Sequence, residues 1–184
     1  MTDIRYADIT DAKTLGEIHA LSWKEAYKGI IGAEILEAIT PERREVYFRR
    51  ALTEGWEEDG LICRDGKPAG LISMGKSRDE DCKMNFGEIR GLYLHPLFWE
   101  MGLGRELMEW GMKELKSRGY SGISLWVLEE NLRARGFYEK MGFRYDGTVK
   151  EITIGRPLRE LRYEMILQSG TPDPEADGER EIKE

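Results

Sequence analysis

Two glycines mark the part of this sequence whose chemistry is easiest to predict. Gly102 and Gly104 follow an apolar run, residues 89–94, and a short loop that begins at His95 and Pro96. A long amphipathic pattern comes next, so a strand, a turn and a helix are predicted in that order. Glycine lets the backbone approach a ligand closely, and the first amides of a helix lack partners within it. The turn is therefore predicted to hold a phosphate or pyrophosphate through backbone N–H groups.

Several further elements must position that turn. The predicted helix has one buried face, formed by Leu103, Leu107, Trp110, Gly111 and Leu115. Residues 123–128 are typical of a second strand. Asn131 is predicted to begin a short helix that carries Ala134 and Tyr138 near the same face, and Gly142 ends it.

Taken together, these two motifs resemble the cofactor-binding core of the GNAT superfamily of N-acetyltransferases. The acetyl-coenzyme A loop of that family, Gln/Arg-x-x-Gly-x-Gly/Ala, is matched at Trp99, Gly102 and Gly104. Its Asn-x-x-Ala-x-x-x-Tyr element is matched at Asn131, Ala134 and Tyr138. Residues 137–143, FYEKMGF, form the more specific half of the resemblance, and both motifs occur in the order expected for the family.

The resemblance implies a fold, a reaction and a cosubstrate. The fold is of the α/β (α+β) class, a GNAT-type mixed and mostly antiparallel central sheet flanked by helices, with strands splayed at the cofactor site. The reaction moves the acetyl group of acetyl-coenzyme A directly to a primary amine of a small molecule or peptide, through a tetrahedral intermediate and without a metal. The implied cofactor-binding residues are Leu92, Tyr93, Leu94, Glu100, Met101, Gly102, Leu103, Gly104, Arg105, Asn131 and Tyr138.

Direct transfer to an amine requires proton movements. An alkylammonium has a pKa near 10.4, so a base must remove its proton at neutral pH. By resemblance Glu88 is the candidate base, with Glu129 as the reserve and water as a third route. Tyr138 matches the family's general acid, which protonates the departing thiolate. A backbone amide freed by a bulge near residues 91–93 is expected to stabilise the oxyanion.

The acceptor site is expected beside the first helix, because that helix and the following loop usually line the acceptor pocket in this family. Trp23 and Tyr27 are the candidate substrate-binding residues, together with Glu88, and an aromatic face could hold a cationic amine. Members that acetylate ribosomal protein N-termini place the base five residues before the asparagine, where this chain has Trp126. That difference argues against the ribosomal specificity.

One departure from the family motif lies beside the glycine turn at Gly102 and Gly104, which we call the anion turn. Trp99 stands where glutamine or arginine is usual, and the next residue, often basic, is Glu100. A carboxylate beside a pyrophosphate weakens binding unless it points to solvent. The departure keeps one alternative open, a coenzyme A-binding module without turnover. An unrelated nucleotide-binding α/β protein is a third hypothesis, but it leaves the Asn131 element unexplained and lacks the Lys-Ser/Thr of a P-loop.

Length and charge limit the other functions open to the chain. Its 184 residues suit one domain, predicted as residues 1–168, followed by a disordered acidic tail, residues 169–184. The tail has a net charge of −4 out of the total of −7, so the domain lacks the basic surface of a nucleic-acid-binding protein. No apolar run is long enough to span a membrane and no secretion signal begins the chain, so we expect a cytoplasmic protein. A homodimer is compatible with the sequence.

The remaining sequence predicts the elements around the site. A strand at residues 4–7 precedes a helix from about residue 12 to 28, and two shorter helices follow. Asp65-Gly66 predicts a hairpin, and residues 144–154 and 159–167 predict the last two strands. The charge-rich residues 77–84 are expected to form an exposed loop. Four arginines in the third helix are expected to form a solvated face, namely Arg43, Arg44, Arg49 and Arg50.

Overall fold

The computed structural model describes residues 1–81 and 85–167. Within them the strands are β1 (Thr2–Tyr6), β2 (Glu58–Arg64), β3 (Lys67–Lys76), β4 (Phe86–Leu94), β5 (Gly122–Leu128), β6 (Arg144–Ile154) and β7 (Arg156–Ile166). The α-helices are α1 (Ala12–Ala26), α2 (Ala33–Ala38), α3 (Pro41–Glu54), α4 (Leu103–Ser117) and α5 (Leu132–Lys140).

The strands form one mixed sheet in the order β1-β2-β3-β4-β5-β7-β6. Only β4 and β5 pair in parallel among the strands just named, and every other neighbouring pair is antiparallel. The predicted mostly antiparallel sheet flanked by helices is confirmed. The parallel pair results from the crossover through α4, since a parallel connection needs a long return segment.

Local sequence explains where the elements begin and turn. Asp65 and Gly66 have positive φ values of 50° and 75° between β2 and β3, as the predicted two-residue hairpin requires. Thr40 caps α3 by accepting from the N–H of Arg43, and Pro41 occupies the first helical position. A 3-10 turn at Ile9–Asp11 precedes α1, and the Asp8 side chain caps this turn by accepting from the N–H of Thr10.

The helices bury apolar residues on both faces of the sheet. On one face, Leu103, Leu107 and Leu115 of α4 are fully buried in the largest core cluster, which also contains Ile72 and Ile123. On the other face, α1 and α3 contribute to a second cluster, formed by Ala12, Leu15, Ile18, Phe48, Leu61 and Leu71. These two cores fix β4 between the helical layers, and β4 leads directly into the anion turn.

The sheet opens at its centre. The strands β4 and β5 pair only at Phe86↔Gly122, Gly87↔Ile123 and Glu88↔Ser124. Beyond Glu88, β4 pairs with β3 alone, while β5 pairs with β7. The expected splay of the central strands is therefore present. The expected bulge is also found, but at Arg90, where the β3–β4 register shifts, slightly before the predicted residues.

The described part of the loop after β3 contacts neighbouring strands. The loop at residues 77–84 was expected to be exposed, yet its described part is anchored, because Arg78 pairs with Glu88 and Asp79 accepts from the indole of Trp126. The predicted acidic tail, residues 169–184, lies outside the described residues. Among the described residues, no helix is long and apolar enough to cross a membrane.

Candidate active site

The splay between β4 and β5 produces a cavity of about 580 Å³. Leu92, Tyr93 and Leu94 of β4, which the resemblance implied as cofactor-binding residues, line one wall. Trp126 and Val127 of β5 line the opposite wall. This gap can form because β4 stays paired with β3, and β5 stays paired with β7, where the two strands separate from each other. Neither strand therefore loses all of its backbone hydrogen bonds.

One end of the cavity is formed by the turn before α4. Gly102 adopts a φ of 82°, and nothing lies within 4 Å of the position that a Cβ would occupy there. Gly104 also lines the cavity, and a Cβ on it would come within 3.3 Å of the Leu94 side chain. The turn thus presents open backbone at the positive end of the 15-residue α4, an arrangement suited to a pyrophosphate.

The residues that depart from the motif have defined places. The Trp99 indole donates to the Leu94 carbonyl over 2.8 Å, and the Arg133 guanidinium lies 4.0 Å from the centroid of the same indole. Glu100 is exposed and adopts a φ of 64°. Cationic residues also line the cavity, including Arg105, Arg133 and Lys140. Arg133, on α5, therefore places a positive charge beside Trp99, where an arginine of the family motif would carry one.

Tyr138 lies in the cavity wall, with 9% of its surface exposed. Burial, together with the nearby Tyr93, raises the pKa of its hydroxyl well above the ordinary value. The phenol is therefore protonated at neutral pH and able to donate. Asn131 caps α5 by accepting from the Ala134 N–H over 3.1 Å, which fixes the helix that carries Tyr138.

The two candidate bases occupy other surroundings. Glu88 is 2% exposed, but its carboxylate is held by the guanidinium of Arg78 at 2.6 and 2.9 Å, and neither residue is among those that line the cavity. Burial alone would raise the pKa of Glu88, yet the hydrogen bonds and charge of Arg78 outweigh it and lower the pKa. Glu129 pairs with Arg159 and also lies outside the lining. Both carboxylates therefore have ion-pair partners, and the role of either one as the base stays a prediction.

Aromatic rings form the end of the cavity away from the anion turn. Trp23 and Tyr27 of α1 line it, and their ring centroids are 4.5 Å apart. Glu160 of β7 lies in the same wall and pairs with Lys150 at 3.1 Å. Glu160 was missed in the sequence, although it belongs to a predicted strand, because nothing local indicates that β7 delivers it beside β5. Only Glu160 and Glu100 supply carboxylates to the described lining.

The structure brings most of the predicted site residues to this one cavity. The predicted residues that line it are Trp23, Tyr27, Leu92, Tyr93, Leu94, Glu100, Gly102, Gly104, Arg105, Asn131 and Tyr138. Met101 is 49% exposed and does not line it, while the Leu103 side chain is fully buried in the core. These two residues can therefore take part through the backbone of the turn, not through their side chains.

Comparison with known proteins places the chain in a family. Residues 32–143 match the model of the Acetyltransferase (GNAT) family, so the chain belongs to that family. It is similar to an uncharacterized N-acetyltransferase of Bacillus subtilis, YuaI, with 28% identity over 71% of this chain and 74% of the relative. It is also similar to the spermidine N(1)-acetyltransferase of Thermoplasma acidophilum, with 29% identity over 79% of this chain and 90% of that enzyme.

Solved structures agree on the fold. The PaiA N-acetyltransferase from Thermoplasma acidophilum, solved in complex with coenzyme A, superposes with a TM-score of 0.72 at 24% identity, covering 91% of this chain and 99% of that one. The chain is an acetyl-coenzyme A-dependent N-acetyltransferase of the GNAT family. The cavity fits this cosubstrate, because open amides and cations lie at one end and apolar strand edges line the length between β4 and β5. Within the described residues, no group of His, Cys, Asp or Glu could hold a metal ion.

Proposed function

We propose that this N-acetyltransferase acetylates the primary amine of a small cationic molecule. The observation that carries the proposal is the composition of the cavity end opposite the anion turn. Trp23, Tyr27 and Trp126 supply aromatic faces there, and Glu160 supplies a carboxylate. Aromatic faces and a carboxylate both favour an ammonium group over a neutral or anionic one. The similarity to a spermidine N(1)-acetyltransferase supports the same class of acceptor.

In this proposal, each end of the cavity binds one reactant. The amides of the turn at Gly102 and Gly104 hold the pyrophosphate of acetyl-coenzyme A. The backbone of β4 aligns the pantetheine arm along Leu92 to Leu94, and the bulge at Arg90 leaves backbone groups unpaired beside the reacting centre. The amine then meets the acetyl group between the splayed strands, where binding both reactants removes much of the entropic cost of their encounter.

Proton movements complete the proposed reaction. Glu160 is itself paired with Lys150 at 3.1 Å, but it lines the cavity, whereas Glu88 does not line it and is held by Arg78. Glu160 is therefore better placed than Glu88 to receive the ammonium proton, directly or through water. Removal of that proton frees the nitrogen lone pair to attack the acetyl carbon. Tyr138, whose raised pKa keeps it protonated, gives its proton to the thiolate as the carbon–sulfur bond breaks. The attacking nitrogen loses its second proton as the amide forms, and that proton restores the phenol of Tyr138, directly or through water.

An acceptor screen tests this function directly. Release of free thiol from acetyl-coenzyme A is measured with a polyamine, a simple monoamine, an amino acid and a peptide with a free N-terminus. We expect the polyamine to give the highest kcat/KM, since it offers a second cation to Glu160 and the aromatic rings. Highest activity with the peptide or the amino acid would contradict the cationic class. Thermal stabilisation by acetyl-coenzyme A without thiol release from any amine would favour the binding module without turnover.

Location and assembly are two further properties that we propose for the whole molecule. The location is cytoplasmic, where acetyl-coenzyme A is available to the enzyme, and a homodimer is one assembly open to the chain. Sedimentation velocity of the full chain measures the assembly, and cell fractionation measures the location.

A further inference from the structure

A second cavity, of about 130 Å³, lies between α1, α3 and strands β3 and β4. It shares Arg90 and Tyr93 with the first cavity. His19 of α1 and Arg44 of α3 also line it, as does Glu57, which precedes β2. Arg44 was expected in a solvated face, but the structure places it partly buried in this wall.

The lining carries an unusual number of unpartnered polar atoms. Within the described part of the chain, six buried side-chain nitrogen or oxygen atoms have no hydrogen-bond partner. Four of them belong to residues of this cavity, namely Nδ1 of His19, Nε of Arg44, Oε1 of Glu57 and Nε of Arg90. Because buried polar atoms in proteins are almost always hydrogen-bonded, their clustering around one small cavity indicates a polar guest.

The charges of the lining indicate the sign of that guest. Arg78 is paired with Glu88 at 2.6 Å, and Arg90 lies 3.8 Å from Glu57. Arg44 differs from both, because no ion pair joins it to a carboxylate of the described residues and its guanidinium lies 4.2 Å from the Tyr47 ring centroid. A guanidinium stays protonated even when burial lowers its pKa. Arg44 therefore brings a positive charge that has no direct ion-pair partner among the described residues.

The neighbouring titratable groups offset the positive charge of Arg44 only in part. His19 is 6% exposed, and burial with the charge of Arg44 lowers its pKa to about 3, so the imidazole is neutral. Asp59 is hydrogen-bonded to Ser73, and burial beside Glu57 raises its pKa to about 7, so its negative charge is only partial at neutral pH. The guest that matches the cavity is an anion with at least two acceptor oxygens.

We propose that this cavity binds a small carboxylate, with its oxygens accepting hydrogen bonds from Nε of Arg44 and of Arg90. A water molecule occupies about 30 Å³ in the liquid, so the cavity has room for an acetate-sized group and a water. That water donates to Oε1 of Glu57. The carboxylate is either a free anion or a substituent of the acceptor, because Arg90 and Tyr93 border both cavities.

Thermal unfolding of the full chain in sodium acetate tests the site without any assay of activity. Acetate is titrated against sodium chloride at equal ionic strength. At ten times its dissociation constant, acetate should raise the Tm by about 3–5 °C by mass action. The shift should disappear in Arg44→Met, which removes the charge and the Nε donor, and persist in Arg49→Met, an exposed arginine on the same helix.

A second variant keeps the test decisive if Arg44→Met does not fold. Glu57→Gln removes a negative charge that opposes an anion, so its acetate affinity should rise by about threefold to tenfold. The proposal is overturned if acetate gives no Tm shift in the parent protein, which would leave water as the only guest. It is also overturned if Arg44→Met keeps the shift, or if Glu57→Gln weakens it.

Kinetic measurements distinguish a free carboxylate anion from a carboxylate carried by the acceptor. Two amines of equal chain length are compared as acceptors in the parent and in Arg44→Met: butylamine, and γ-aminobutyrate, which adds a carboxylate. A carboxylate carried by the acceptor predicts that KM rises by about tenfold or more for γ-aminobutyrate alone. A free anion predicts equal changes for both amines together with the Tm shift in acetate. Failure of the amine assay as a whole would concern the proposed acceptor class, and the Tm result would stand independently.

Discussion

The two ends of the main cavity are built in different ways. The anion end consists of backbone from one short stretch, residues 99–105, and its chemistry depends on amides at the start of α4. The acceptor end consists of side chains from α1, β5 and β7, whose residues Trp23, Trp126 and Glu160 are far apart in the chain. A backbone site tolerates changes of side chain where the backbone conformation is kept, whereas a side-chain site depends on the chemistry of each residue.

Because the anion end depends on backbone, it can accommodate Trp99 in place of the glutamine or arginine of the family motif. Trp99 does not supply a positive charge, yet Arg133 on α5 stacks on its indole and faces the same cavity. Glu100 is exposed, as backbone-based binding permits. The anion end therefore keeps its electrostatic character although a local residue was replaced.

The largest effect is expected from a substitution in the backbone turn of the anion end. Gly102→Val forces a β-branched residue into a φ of 82°, so it should abolish binding of acetyl-coenzyme A. In the parent, the ligand at one hundred times its dissociation constant should stabilise the fold by about 2.7 kcal/mol, or about 5–10 °C in Tm. Gly66→Val imposes similar strain at a φ of 75° in a distant hairpin and should keep that shift. A normal shift in Gly102→Val would place the ligand elsewhere.

The next effect concerns chemistry between the two ends. Tyr138→Phe should lower kcat by about a hundredfold to ten-thousandfold, the range typical of general acid catalysis, while the affinity for acetyl-coenzyme A stays close to that of the parent. Tyr145→Phe, a 45% exposed tyrosine, serves as the control. Parental turnover in Tyr138→Phe, with an acceptor for which chemistry is rate-limiting, would leave Tyr138 as a packing residue and assign the proton to water.

A smaller effect is expected from a substitution at the acceptor end. Glu160→Gln removes the carboxylate near the aromatic rings, so kcat/KM for a cationic amine should fall by about tenfold or more. The Tm shift caused by acetyl-coenzyme A should remain, because the anion end is untouched. Glu151→Gln, an exposed glutamate on the neighbouring strand β6, should change neither quantity. An unchanged kcat/KM in Glu160→Gln would remove this residue from both recognition and proton transfer.

The smallest effect tests Glu88, whose role as base remains a prediction. Glu88→Gln breaks its pair with the partly exposed Arg78, so unfolding should become easier by about 1–2 kcal/mol at pH 7. The folded pKa of Glu88 lies below its unfolded value near 4.3, so this stabilisation is present above that value and is lost as the pH falls through the folded pKa. The Tm difference between parent and variant should therefore shrink in acid.

The control for Glu88 is Glu17→Gln, an exposed residue of α1. If Glu88 is the base, its variant should also lose turnover, with a loss that shrinks as the pH approaches the pKa of the acceptor. A stability difference without that kinetic loss would make Glu88 a structural ion-pair partner only.

Much of the fold followed from local pattern. The face of α4, the hairpin at Asp65-Gly66 and the cap at Asn131 depend on residues within a few positions of one another. Some boundaries moved by a few residues, as at the end of the first helix, which was predicted near residue 28 and lies at Ala26. The prediction of an exposed loop at residues 77–84 missed its anchoring, because Glu88 and Trp126 hold the described part of that loop from other strands.

The sequence by itself determined the glycine turn before α4, since such a turn before an amphipathic helix brings its own amides and dipole. It also determined that Tyr138 would share a helix with the Asn131 cap. Tertiary structure alone decided that Glu160 lines the cavity, that Arg78 holds Glu88, and that Arg44 turns inward. The physical reason is that backbone geometry depends on neighbours along the chain, whereas the surroundings of a charged side chain depend on strands and helices that only folding brings together.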